Sequence, residues 1–134
     1  MIANACDEIG VEYVLLTQFL SDEHVLELRV ASEILIRLSL MDAFSLSLCE
    51  TLCAGNVLIT GTWLPYGKLR GNNVYYEEVY DMNDAGGKLE HVLNNYDQHE
   101  SRCNNNPEHI KSIFAKENSA KKLHDIYTNV QKQK

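Results

Sequence analysis

Short apolar runs alternate with polar stretches along the whole chain, and their spacing predicts a succession of helices and strands. Residues 2–9 read as a helix stopped by Gly10, a residue suited to the left-handed conformation that closes helices. The run VEYVLLTQF (11–19) is rich in β-formers and predicts a strand around 12–16. Ser21 then caps a helix over 22–32, with Asp22 and Glu23 favouring the positive end of its dipole. EILIRL (33–38) is nearly continuous in apolar residues, as strands buried on both faces are. A loop and short helix over 42–55 lead to a third strand, NVLIT (56–60), closed by Gly61. Pro65 fixes the entry to a turn of helix, and NVYYEEVY (73–80) predicts a fourth strand. Helices follow over 83–95, weakened by Gly86 and Gly87, and over 97–105. A break at 104–107 precedes a helical segment from about 108 to a polar end at Lys134.

Strands that alternate with helices need crossover connections, so the expected class is α/β: a Rossmann-like parallel sheet with helices on both faces. The chain of 134 residues is read as one domain, without internal repeats or a linker. Its apolar runs fall far below the ~20 residues that cross a bilayer, and residues 1–10 lack the basic and apolar pattern of a leader. The four cysteines show no metal-type spacing, and Cys49 and Cys53 read as reduced core thiols. These features point to the cytoplasm. No cofactor and no metal are expected. The five histidines are read as surface residues, and the tyrosines Tyr75, Tyr76 and Tyr80 as packing.

Charge changes the picture. All of the net −7 sits in residues 1–66, where nine acids face only Arg29 and Arg37. With no basic stripe to neutralise phosphates, nucleic acid is not an expected partner. Lys116, Lys121 and Lys122 are diluted by Glu117 and Asp125 and read as a solvated face.

The chemistry concentrates in DAFSLSLCETLCAG (42–55). In open parallel sheets, ligands sit beyond the carboxyl ends of the strands. Asp42 lies on that rim, four positions past the strand ending near Leu38. Ser45 is the expected N-cap, so that the amides after it are free to hold phosphate. Glu50 stands ~7.5 Å along the same helix. Ionised carboxylates accept hydrogen bonds from sugar hydroxyls, and a helix start holds phosphate, so together they suit a nucleotide sugar. A plainer reading makes Asp42 a capping acid and Glu50 a solvated helix residue.

The stretch DAFSLSLCETLCAGNVLITG (42–61) resembles the family 4 glycosyltransferases of the GT-B fold. Their signature is an acid, seven residues and Glu, with Phe-Gly or Phe-Ser inside and Ala-x-Gly before a strand. Asp42, Phe44, Ser45, Glu50, Ala54 and Gly55 stand at those positions, with Asp42 where the family usually has Glu. FLSDEHVLELRVASEILI (19–36) is similar to the preceding part of that pattern. GTWLPY (61–66) is similar to a subgroup of bacterial surface-polysaccharide enzymes. The resemblance covers roughly residues 10–95. It implies the donor-binding half of a retaining, metal-independent glycosyltransferase, truncated at its N-terminus. The first strand of that domain is then absent, as is the N-terminal domain that holds the acceptor.

By the same resemblance, Asp42, Ala43 and Phe44 bind the donor sugar, and the backbone at Ser45 and Leu46 holds the diphosphate. Glu50 accepts from the ribose, while Phe19 and Leu20 lie near the base. Trp63 and Tyr66 either line the sugar pocket or cover the sheet's edge. No catalytic residue is assigned, because the basic pair that neutralises the diphosphate in the family has no counterpart here. Arg37 is the only front-half candidate on the rim. The chain by itself is therefore expected to bind donor weakly and transfer nothing appreciable, while the whole enzyme could rest peripherally on a membrane. The competing expectation is a non-catalytic interaction module, self-associating through an uncovered sheet edge.

Overall fold

The computed structural model describes residues 2–115 together with residues 117, 120, 121, 124 and 128. The elements run α1 (Ile2–Ile9), α2 (Asp22–Ala31), β1 (Ile34–Arg37), α3 (Leu46–Cys53) and β2 (Val57–Gly61). They continue with α4 (Gly67–Arg70), β3 (Glu77–Val79), a 3-10 turn (Met82–Asp84), α5 (Ala85–Asn94), α6 (Tyr96–Cys103) and α7 (Asn106–Phe114). The strands form one parallel sheet in the order β1-β2-β3, with Ile34 opposite Val57 and Ile59 opposite Glu77.

The alternation of side chains along β2 builds a core on each face of the sheet. Leu58 points to one side, where Leu48 and Leu52 of α3, Leu69 of α4 and Ile110 of α7 meet it with Tyr66 and Tyr76. Val57 and Ile59 point to the other side, against Val79, Val92 of α5 and Cys103 of α6. All five residues of β2 are buried, which accounts for the apolar run Val57–Leu58–Ile59 that opens it. The fold is thus mixed α/β, with a small parallel sheet between two helical layers, and is compatible with a Rossmann-like arrangement.

Local signals set several boundaries. Gly10 has φ +71°, and the amide of Val11 bonds back to the carbonyl of Cys6 at 3.1 Å, closing α1. Ser21 accepts from the amide of His24 at 3.3 Å, as its place before α2 predicts. Gly55, at φ +89°, follows the end of α3 and turns the chain into β2.

Two strand expectations are corrected. The segment 12–16 is neither strand nor helix, and Val14, Leu15 and Leu16 are exposed. Strand preference is a preference for a packed, half-buried surface, and no neighbour among the described residues offers one there. The expected strand over 73–80 shrinks to β3. The side chain of Asn106 takes the place of a neighbouring strand at Tyr75, accepting from its N–H at 2.7 Å and donating to its carbonyl at 2.9 Å. The histidine reading also needs correction, because His99 is buried on the inner side of α6. Of the two expected core thiols, Cys49 is buried and Cys53 exposed. Lys116 and Lys122 lie outside the described residues. Among those described, no helix is long and apolar enough to cross a membrane.

Candidate functional site

The carboxyl ends of all three strands open on one rim, where the loops after β1, β2 and β3 meet. Arg37 ends β1, and its guanidinium grips Asp42 from two nitrogens, Nε at 2.7 Å and Nη2 at 2.6 Å. The hydroxyl of Tyr66 donates to the same carboxylate. All three donors converge on Oδ2, leaving Oδ1 free of them. The Tyr66 bond first, and then Arg37, hold the Asp42 carboxyl below its ordinary range. Burial and the bond to Asp42 push the Tyr66 hydroxyl up to about 12, so it stays protonated and donates. Asp42 is consequently a fixed anion, its carboxylate also taking the backbone N–H of Ala43.

Ser45 occupies the N-cap position of α3 in extended conformation, but its hydroxyl makes no capping bond. The first amides of α3 are therefore not taken by that side chain, and the helix start is open, with Leu46 72% exposed. Phe44 instead packs edge-on against Tyr66 and beside Phe114, which fixes the loop that enters the helix. Glu50 is exposed and paired to Arg29 of α2 at 2.8 Å. The same guanidinium donates to the hydroxyl of Ser47 at 3.1 Å.

The two acids thus flank α3, each held by its own arginine, Asp42 towards the core beneath Tyr66 and Glu50 towards α2. Arg29 is a residue that the sequence reading did not assign. Its sequence signal is faint: it is one of two bases in a front half otherwise acidic.

Trp63 bridges two rim loops, its indole N–H donating to the carbonyl of Ser39 at 2.8 Å. The ring lies flat on Gly61, where a Cβ would come within 2.4 Å of it. With Leu40, Tyr80, Asp81 and Met82 it lines a cleft of about 490 Å³ above the sheet. Tyr66, by contrast, is 1% exposed and belongs to the core, reaching the rim only through its hydroxyl. Of the base-proximal pair, Phe19 is almost wholly exposed. Leu20 lines a separate hollow with Leu16, His24, Glu27, Leu28 and Ala31, and Glu50 is not part of that lining.

Burial pushes the Cys49 and Cys103 thiols up to about 11, so both stay protonated and unreactive. Among the described residues there is no group of three or more His, Cys, Asp and Glu side chains arranged to hold a metal ion. Comparison of the chain with protein-family models, with curated proteins and with solved structures finds no match in any of the three.

Proposed function

We propose that the rim binds the donor of a retaining glycosyltransferase, a nucleotide sugar, and that the chain is the donor-binding half of a GT-B enzyme in polysaccharide or glycolipid assembly. The observation that carries this reading is the open start of α3 flanked by Asp42 and Glu50 at the carboxyl end of β1. In it, Oδ1 of Asp42 accepts from sugar hydroxyls, together with the backbone of Ala43 and Phe44. The amides at Ser45 and Leu46 meet the diphosphate, and Glu50 accepts from the ribose. Arg37 and Arg29 are paired to the two acids, so they orient Asp42 and Glu50 and leave the diphosphate to the helix end, worth about half a charge, which makes the binding weak. Trp63 lines the neighbouring cleft. Transfer needs a second domain to bring the acceptor, so the isolated chain binds donor without turning it over.

Trp63 is the single tryptophan, and its emission reports on the rim directly. Titration with UDP, GDP or ADP should change that emission and raise the melting temperature through ligand linkage. Glu50→Ala should remove most of the shift. No response to any of the three at millimolar concentration would sink the proposal.

A second reading is favoured by β1, whose outer edge has no partner strand among the described residues. Ile36 on that strand and Leu26 and Val30 on α2 are exposed apolar residues. Such an edge can pair with another copy, making the chain a non-catalytic interaction module. Sedimentation at rising protein concentration checks this: a dimer abolished by Ile36→Lys supports it, and a monomer throughout removes it.

A further inference from the structure

At the opposite, amino end of β3 lies a second cleft, of about 600 Å³, between α4 and the junction of α6 with α7. Its polar lining is Arg70, Asn73, Glu77, Arg102 and Asn105, with Tyr75 and Tyr76 beneath. From it we infer a binding site for a phosphorylated small molecule, the phosphate held by the Arg102 guanidinium and the side-chain amides of Asn73 and Asn105.

The first support is that the donors are unengaged. Arg102 stacks its guanidinium 3.8 Å from the centre of the Tyr75 ring and has no hydrogen bond or ion pair among the described residues. Neither Asn73 nor Asn105 spends its side-chain amide on another described residue, and Asn105 makes no capping bond although it precedes α7. A stacked guanidinium keeps its in-plane N–H fork free for an oxyanion.

The second support is electrostatic. Glu77, the one carboxylate in the lining, is neutralised by Lys88 at 2.8 Å and takes the hydroxyl of Tyr75 at 2.5 Å. Arg70 is paired to Glu78 at 2.9 Å and lies over Tyr76. The charge left unbalanced in the cleft is therefore that of Arg102.

The third support is rigidity. Asn73 is held at φ +61°, and its carbonyl bonds to Nδ1 of His109 on α7 at 2.8 Å. Asn106 fixes the backbone of Tyr75, as described above. Walls pinned in this way lower the ordering cost of binding. The donors on offer outnumber what the two oxygens of a carboxylate would use, and match a phosphate better. The cleft is larger than a phosphate requires and falls within the usual range of small-molecule sites, which points to a phosphate ester.

The test titrates the folded chain with inorganic phosphate and with phenyl phosphate at constant ionic strength, following backbone and side-chain amides by NMR. Shifts should centre on Asn73, Tyr75 and Asn105, with phenyl phosphate the tighter ligand. Arg102→Gln should weaken binding about tenfold, the effect of ~1.4 kcal/mol. Arg102→Lys retains the charge without the fork; it should weaken binding less, and it serves in place of Arg102→Gln if that variant does not fold. Equal affinity for the two phosphates would overturn the ester. Shifts spread over residues beside the lysines elsewhere on the surface, or unchanged by either substitution, would overturn the site.

Discussion

Replacing Leu58 by alanine is expected to cost about 2–5 kcal/mol of stability, the range for large-to-small changes in a closed core. Leu58 is fully buried on the central strand and faces α3, α4 and α7 at once. The side chains around it come from separate elements tied to the sheet, so they cannot close together over the space left behind. Domains of this kind have about 5–15 kcal/mol in total, so the loss is a large fraction of what holds the chain folded. The measurement is urea unfolding followed by circular dichroism, where the midpoint should fall with the slope unchanged. A loss below about 1 kcal/mol would mean that this face of the sheet is loosely packed.

Asn106→Ala should destabilise nearly as much by a different route. Asn106 is 1% exposed, and its amide satisfies both the N–H and the carbonyl of Tyr75. Alanine leaves both groups without that partner, at about 1–3 kcal/mol for each one that stays buried. The signature that separates this from simple loss of packing is local. Hydrogen exchange at the Tyr75 amide should accelerate well beyond the change in global stability, whereas uniform acceleration would assign the effect to packing alone. Because Tyr75 carries the stacked Arg102, the same substitution should loosen the cleft at the amino end of β3.

The acids on the rim gain their character from their partners, of which Tyr66 and Arg29 are distant in sequence and Arg37 lies five positions before Asp42. Asp42 would be an ordinary loop carboxylate without Arg37 and Tyr66, which fix its orientation and its ionised state. The same holds for the network around Tyr75. Its hydroxyl sits 2.5 Å from both Glu77 and Nδ1 of His99, yet it has one proton to give. Donation to Glu77 requires His99 to carry its proton on Nδ1 and donate to the tyrosine oxygen. Burial lowers the His99 pKa and so favours the neutral ring that this arrangement uses.

Elements governed by neighbours in sequence were legible. Gly10 ends α1, Ser21 caps α2, and the apolar runs at β1 and β2 appear where their composition places them. These are decided by backbone sterics and by bonds spanning three or four residues, which a sequence displays directly. The segment 12–16 shows where this stops: it has the residues of a strand, but a ladder needs a neighbour. His99 lay in a polar stretch and gave no sign of burial, because the groups that enclose it are Tyr75, Glu77 of β3 and His91 of α5.

The sequence by itself determined the order of the elements from α2 onward, the parallel sense of the sheet and the positions of Asp42 and Glu50 around α3. Only the tertiary structure decided that Asp42 is clamped by Arg37 and Tyr66, that Glu50 leans to Arg29, and that Arg102 stands free over Tyr75. The reason is range. Propensity and periodicity act along the chain, whereas charge pairing and burial act through space between residues that no local pattern connects.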